Sequence, residues 1–172
     1  MVWLIILGAI VLIFGLVVFR GAPYVPSHKK YVELLFDELV KLKPSDVVVD
    51  IGSGDGLILR QAAKRGARAV GIELNPILVL ITKILSLHNP RVSVRLGDFW
   101  LKKLPGETTI VYVFGESRDI NKIAQYVQKE ADRLDREINF VSYGFPVAGR
   151  QPRISAHGYN IYSITPLHSA QT

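Results

Sequence analysis

The chain has 172 residues, of which 49% are apolar and 21% charged, ordinary proportions for a single folded domain with one appendage. It contains no cysteine, so disulfide bonds, cysteine-ligated zinc and thiol chemistry are all excluded. The net charge of +6 favours an anionic partner, and next to an apolar segment the simplest such partner is a lipid headgroup.

The first 19 residues form an apolar segment without a single charged side chain. As a helix they would extend about 28 Å, close to the hydrocarbon thickness of a bilayer. A cleaved signal peptide would have a basic residue before the apolar run and a small-x-small cleavage site after it, and the sequence offers neither convincingly. A buried core helix is disfavoured because no face of the segment is polar. We therefore predict a transmembrane anchor over residues 1–19, followed by an extended linker over residues 20–29.

Positive charge lies on one side of this segment, with Arg20, Lys29 and Lys30 after it and only the α-amino group before it. The positive-inside rule then places the rest of the chain on the cytoplasmic side of a membrane, or on the matrix side in a mitochondrion. The predicted localisation is that of a single-pass membrane protein.

Beyond the linker, strand and helix patterns alternate. Ser27 is expected to cap a helix that runs to residue 42, with Tyr31 and Leu35 on its inner face. Strands are predicted at residues 47–52, 67–73, 91–96, 108–114 and 138–145, helices at 57–65, 76–87 and 119–136, and one or two terminal strands within 155–164. This alternation is typical of a parallel sheet with right-handed crossovers. We predict one α/β domain over residues 30–172, a Rossmann-like open, mostly parallel sheet with helices on both faces.

A glycine-rich turn, DIGSGDG at residues 50–56, lies directly between the first strand and the next helix. Glycines at alternate positions let the backbone turn sharply and let a ligand lie against the main chain. Glu73 ends the second strand, where a carboxylate can accept hydrogen bonds from both hydroxyls of a ribose. The pattern predicts a nucleoside-containing cofactor, and a tight strand-to-helix turn without a ligand is the alternative.

The charge of the turn discriminates between two cofactors. A dinucleotide fold would have G-x-G-x-x-G, with a helix dipole aimed at a pyrophosphate. Here the spacing is G-x-G-x-G, and Asp50 precedes the glycines while Asp55 lies among them. Two carboxylates suit a cofactor with an ammonium and a sulfonium better than one with a pyrophosphate. The turn favours S-adenosylmethionine over NAD, and its predicted binding residues include Asp50, Gly52, Gly54 and Gly56.

A second acidic turn follows the third strand, at Gly97-Asp98-Phe99. Asp98 can accept a hydrogen bond from an adenine amino group, while Phe99 or Trp100 stacks near the ring. The alternative is that Asp98 is only a turn residue.

These motifs resemble those of the seven-stranded, class I S-adenosylmethionine-dependent methyltransferases. Residues 50–56 match the glycine-rich motif of that class, Glu73 its acidic second-strand end and Asp98 its adenine-side acid. With the apolar N-terminal segment and PYVPS at residues 23–27, the chain looks like the small membrane-anchored protein-lysine methyltransferases. That family includes the mitochondrial enzymes that act on the c-subunit of ATP synthase and on the adenine nucleotide translocase. This chain departs from them after the fourth strand, where GESR at residues 115–118 replaces an apolar stretch.

The candidate catalytic residues follow from the needs of methyl transfer. In-line positioning and a neutral nucleophile are required, so a lysine acceptor must first lose a proton. Glu116, just beyond the fourth strand, is predicted to contact the acceptor amine, with Tyr24 as the second candidate; the alternative for Glu116 is a solvated loop acid paired with Arg118. The resemblance implies that Tyr24 and Ser27 lie over the cofactor. The four histidines have no metal-ligand spacing, so no metal is predicted.

The sequence therefore predicts a membrane-anchored N-methyltransferase that acts on lysine of a membrane-associated protein. Methylation of a lipid or quinone precursor is one alternative, which the anchor and the basic surface favour. A catalytically inactive S-adenosylmethionine-binding scaffold is another. No nucleic-acid partner is expected, and the sequence leaves the acceptor and the oligomeric state open.

Overall fold

In the computed structural model, residues 1–5, 7–8, 27–115 and 118–167 are described. The helices and strands with defined bounds are, in chain order, α1 (Lys29–Leu34, continued by a π-helical turn at Leu35–Leu39), β1 (Val47–Ile51), α2 (Leu57–Lys64), β2 (Arg68–Glu73), α3 (Pro76–Leu85), β3 (Val92–Leu96), a 3₁₀ turn (Phe99–Leu101), β4 (Ile110–Phe114), α4 (Ile120–Leu134), β5 (Ile138–Tyr143), β6 (Ile154–Ala156) and β7 (Tyr159–Ile164).

The seven strands form one sheet in the order β3-β2-β1-β4-β5-β7-β6. Strands β1 to β5 pair in parallel, whereas β7 is antiparallel to both β5 and β6. The direction of crossover reverses between β1 and β4, and ligands of open α/β sheets bind beyond the carboxyl ends of the strands at such a point. The predicted open, mostly parallel sheet is confirmed, and the glycine-rich turn lies at its switch point.

Helices bury the sheet on both faces. All five residues of β1 are buried, as expected for a central parallel strand that is covered on each side. On one face, Phe36 of the π-helical turn and Leu59 of α2 belong to a cluster with Tyr112 of β4. On the other face, Val127 of α4 packs in a cluster with Phe140 of β5. The prediction of helices on both faces is confirmed. Lys122, Lys129 and Arg133 of α4 are exposed, whereas Glu130 is buried and accepts a hydrogen bond from the Leu104 N–H at 2.7 Å.

The start of α1 differs from the prediction. Its N-cap is His28, without a side-chain hydrogen bond, so the predicted cap at Ser27 is wrong. The predicted inner face is wrong in part, because Tyr31 is 40% exposed whereas Val32 and Phe36 are buried together with Leu35. Both stripes have spacing of three and four residues, and only the contact with the sheet and α2 decides which one lies inward.

The predicted transmembrane anchor over residues 1–19 and the linker after it lie mostly outside the described residues. Within the described residues, no helix combines the length and the apolar character that a membrane crossing requires.

Candidate cofactor and acceptor site

The turn between β1 and α2 depends on three glycines in the left-handed region, with φ of 76° at Gly52, 55° at Gly54 and 78° at Gly56. A Cβ atom built on Gly52 meets no described residue within 4 Å, so the described part of the chain leaves the space in front of the turn open. A Cβ atom on Gly56 would lie 2.6 Å from Cγ2 of Thr82. Gly52 therefore leaves room for a ligand, whereas Gly56 is required by the packing of α3 against the turn.

Glu73 fixes the middle of this turn. The residue is 6% exposed, and its two carboxylate oxygens accept hydrogen bonds from the backbone N–H groups of Gly54 and Asn75, each at 2.8 Å. The Thr82 hydroxyl donates to the Gly54 carbonyl at 2.9 Å, so the Gly54 peptide is held from β2 and from α3. Each oxygen of Glu73 keeps a second lone pair for a ligand hydroxyl. Glu73 thus lies where a ribose contact was predicted, and it also ties the turn to β2.

Asp50 is the buried acid of the site, with 2% of its surface exposed. Burial raises the pKa of its carboxyl well above the usual range, and the nearby carboxylates of Glu73 and Asp55 raise it further. Asp55 itself pairs with Arg60, with Nη2 and Oδ2 at 3.4 Å. A positively charged group beside Asp50 would offset both effects and favour its ionised form. The predicted carboxylate environment is present, and it suits a cationic ligand.

The second acidic turn lies next to the end of β2, because the Gly97 N–H donates to the backbone carbonyl of Glu73 at 2.9 Å. Asp98 caps the 3₁₀ turn and accepts a hydrogen bond from the Trp100 N–H at 3.0 Å. Asp98 is therefore a turn residue, and no described residue donates a hydrogen bond to its other carboxylate oxygen. Phe99 packs against Trp100, with ring centroids 4.3 Å apart, so the two aromatic rings form one unit beside Asp98.

The predicted residues on the acceptor side are only partly described. Tyr24 and Glu116 lie outside the described residues, so their predicted roles keep the status of predictions. Arg118 contacts Asp119, with Nη2 and Oδ2 at 3.1 Å. Ser27 lies beside Tyr112, with its hydroxyl close to the phenol.

Tyr112 is a candidate site residue that was not predicted from the sequence. It lies on β4 directly opposite Asp50 in the β1–β4 register and is 2% exposed. The hydroxyls of Ser27 and Tyr159 face its own hydroxyl, but neither makes a hydrogen bond of regular geometry with it. Burial raises the pKa of Tyr112 well above its usual value, and Tyr159 and Asp50 raise it further. The alternation in β4 is the signal that would have found it, because every second residue of a strand lies on the same face.

An aromatic cluster extends from this tyrosine along the carboxyl end of the sheet. It consists of Tyr112, Phe114, Tyr143 and Tyr159. The ring centroids are 6.4 Å apart for Tyr112 and Tyr159, 4.7 Å for Tyr143 and Tyr159, and 4.9 Å for Phe114 and Tyr143. Tyr143 ends β5, and Tyr159 was missed because it belongs to the distant strand β7. Aromatic faces attract ammonium groups, so the cluster offers a surface for a cationic acceptor beside the carboxylates.

The sheet order, the antiparallel β7 and the glycine turn at the switch point define a class I methyltransferase domain. A model of the ANTKMT methyltransferase domain family matches residues 50–154. The chain belongs to this family. The predicted methyltransferase class is thereby confirmed, together with its cofactor class.

Curated relatives agree with this assignment. The chain is 31% identical over 127 residues to the ATP synthase C-subunit lysine N-methyltransferase of Homo sapiens, a match that covers 72% of this chain and 52% of the relative. It is 30% identical over 136 residues to a protein-lysine N-methyltransferase of Saccharolobus islandicus, covering 76% of this chain and 81% of that one. The chain spans about half the length of the vertebrate relatives.

A solved structure with the same fold is the RNA methyltransferase from Salinibacter ruber in complex with S-adenosyl-L-homocysteine. The TM-score is 0.71 at 28% sequence identity, and the match covers 82% of this chain and 94% of that one. The 23S rRNA methyltransferase ErmE shares the fold with a TM-score of 0.58 at 18% identity, covering 70% of this chain and 48% of that one.

Proposed function

We propose that this chain is a membrane-anchored, S-adenosylmethionine-dependent methyltransferase that modifies lysine in a membrane-associated protein. The observation that carries the proposal is the buried Asp50 carboxyl, which lies between the open glycine turn and the aromatic cluster. The carboxyl serves a cationic donor on one side, and the aromatic rings serve a cationic acceptor on the other. The relatives named as lysine N-methyltransferases support the choice of acceptor.

The residues of the turn fit the donor. Open space at Gly52 admits a ligand against the main chain, and Asp50 and Glu73 supply the negative charge that an ammonium and a sulfonium require. When bound, S-adenosylmethionine supplies an electrophilic methyl group. Glu73 would hold the ribose hydroxyls through its free lone pairs, and Asp98 would accept from the adenine amino group.

The residues on the acceptor side have separate tasks. Because burial raises the pKa of Tyr112 well above its usual value, its hydroxyl stays protonated at neutral pH and does not act as the base. Phe114 and Tyr143 are half-buried and present aromatic surface to a lysine side chain. Deprotonation of that lysine is assigned to Glu116, with Tyr24 as the second candidate.

The membrane part of the proposal rests on the sequence. An uncharged stretch of 19 residues has the length of a bilayer span, and the cations that follow it favour a catalytic domain on the cytoplasmic or matrix side. A methyltransferase tethered in this way meets lysines of membrane proteins at high effective concentration.

RNA is a second candidate acceptor, and one observation supports it. A groove of about 470 Å³ between the 3₁₀ turn and α4 is lined by Trp100 and Tyr126 together with four lysines: Lys102, Lys103, Lys122 and Lys129. Lysines beside aromatic rings are a common arrangement for single-stranded nucleic acid, and the Salinibacter ruber neighbour is an RNA methyltransferase.

The test is methyl transfer from radiolabelled S-adenosylmethionine by the full chain, with the host membrane fraction and host RNA as separate acceptors. We expect a discrete labelled protein band that is lost with Asp50→Asn. The matched control is Asp135→Asn, because Asp135 has φ of 49° at the end of α4, far from the site in the fold, and asparagine tolerates that conformation. Radiolabel found only in lipid or only in RNA would show that the acceptor is that molecule and not lysine. Donor binding without transfer to any fraction would leave the scaffold alternative.

A further inference from the structure

Helix α3 presents apolar side chains both to the sheet and to solvent. Leu78, Val79 and Thr82 are buried against the domain. Three residues of α3 and one in the turn that follows it are large, apolar and more than half exposed: Leu80 (57%), Ile84 (62%) and Leu85 (53%) on the helix, and Leu87 (75%) in the turn. We call these four residues the outer face of α3. A helix that is apolar all round is typical of one that is covered on every side, and described residues of this chain do not cover the outer face.

The charged residues in the segment that forms this face are all of one sign. From residue 74 to residue 97 the sequence contains no aspartate or glutamate. The same segment contributes three exposed cations, Lys83 beside the outer face on α3 and Arg91 and Arg95 around β3, the edge strand of the sheet. A partner protein with both positive and negative side chains would attract only some of these cations. A uniformly anionic surface would attract all three.

We propose that the outer face of α3 rests on an anionic lipid bilayer, with its leucine and isoleucine side chains at the level of the upper acyl chains. Lys83, Arg91 and Arg95 then meet lipid phosphates. An amphipathic helix that lies in the membrane interface combines apolar burial with attraction of cations to anionic headgroups in this way.

The contact would orient the active site. α3 begins directly after the carboxyl end of β2, and Thr82 of this helix holds the Gly54 peptide of the glycine turn. A bilayer under α3 therefore lies close to the donor-binding edge of the sheet. Lysines at the surface of a membrane protein would be presented at that same level. The contact extends the membrane part of the proposed function, and it does not depend on which acceptor is methylated.

Because the chain has no cysteine, single labelling sites are simple to introduce. We would label Ile84→Cys with an environment-sensitive fluorophore in the full chain, and Ser155→Cys as the control. Ser155 is exposed on β6, at the opposite edge of the sheet from β3. Each protein is mixed with phosphatidylcholine vesicles, with or without phosphatidylglycerol, whose acyl chains are brominated to quench nearby fluorophores.

We expect a blue shift and quenching of the Ile84→Cys label with phosphatidylglycerol, a marked loss of both effects without it, and neither effect at Ser155→Cys. Replacing Lys83 and Arg95 with glutamine should weaken the quenching at Ile84→Cys. A label at Ile84→Cys that stays water-exposed with both lipids would overturn the proposal. A label that is shielded from water to an extent set by the protein-to-lipid ratio would also overturn it, because a second copy of the chain would then cover the face. The same holds for shielding that is independent of lipid composition, because a segment of the chain itself would then cover the face. Flotation of the vesicles measures separately whether the chain is bound to the membrane. Failure of the proposed anchor is therefore distinguishable from failure of the α3 contact.

Discussion

Replacement of Glu73 by glutamine tests the double role that the structure gives this carboxylate. Its two oxygens accept hydrogen bonds from the Gly54 and Asn75 N–H groups at 2.8 Å each, and Glu73 itself is only 6% exposed. Glutamine is of the same size but has only one oxygen. Whichever way the amide is turned, its NH₂ group then faces one of the two backbone donors.

The magnitude follows from these contacts. A buried hydrogen bond to a charged group contributes about 1.5–3 kcal/mol, so Glu73→Gln should lower the free energy of unfolding by about that amount. For a chain of this size, this corresponds to a fall in Tm of about 3–12 °C. Loss of one charged acceptor for the ribose should weaken binding of S-adenosylmethionine by about 10- to 150-fold, the equivalent of the same energy.

Calorimetric titration measures the affinity, and thermal unfolding of the ligand-free protein measures the stability. The matched control is Glu107→Gln, an exposed carboxylate 3.5 Å from Arg68, for which we expect a stability change within about 0.5 kcal/mol and unchanged affinity. A Glu73→Gln variant that binds the donor as tightly as the wild type would refute the assigned ribose contact. A variant of unchanged stability would refute the role of Glu73 in tying the turn.

Three further predictions concern the site. Folding raises the pKa of Asp50, so the folded chain keeps a proton that the unfolded chain releases, and stability falls as the pH rises from the unfolded towards the folded pKa. Asp50→Asn should therefore make the ligand-free protein more stable to urea at neutral pH while it weakens donor binding, and lower stability would contradict this electrostatic argument. Gly56→Ala should destabilise the fold, because its Cβ would lie 2.6 Å from Cγ2 of Thr82, and Thr82→Ser should rescue part of the loss in Tm; no rescue would locate the strain elsewhere. Thr82→Val should lower the free energy of unfolding by about 1–2 kcal/mol, because the Gly54 carbonyl loses a buried hydrogen bond, and unchanged urea unfolding would argue against that bond.

The parts of the site that were predictable from the sequence are local in the chain. The glycine turn was predictable because its conformation is encoded in the residues that adopt it. The Asn75 cap of α3 was predictable for the same reason, and its side chain accepts from the Ile77 N–H at 2.9 Å. The end of β2 at Glu73 also agrees with the prediction. In each case a residue and the structure it specifies lie within a few positions of one another.

The parts that were missed depend on contacts between distant segments. From the sequence, Thr82 is an ordinary helix residue, and only the packing of α3 on the glycine turn reveals its contact with Gly54. Tyr112 is likewise an ordinary core residue in the sequence, and only the β1–β4 register places it opposite Asp50. Tyr159 enters the aromatic cluster from an antiparallel strand at the end of the chain. The inner face of α1 was ambiguous, since two stripes satisfy the same helical spacing and only tertiary packing selects one.

The most direct test of the proposed lysine methylation is mass spectrometry of host membrane proteins after incubation with the full chain and methyl-deuterated S-adenosylmethionine. We expect deuterated methyl groups on lysine of a membrane-associated protein, present with the wild type and with Asp135→Asn but absent with Asp50→Asn. Deuterated methyl groups on nucleosides or lipids, with none on lysine, would refute the proposed acceptor.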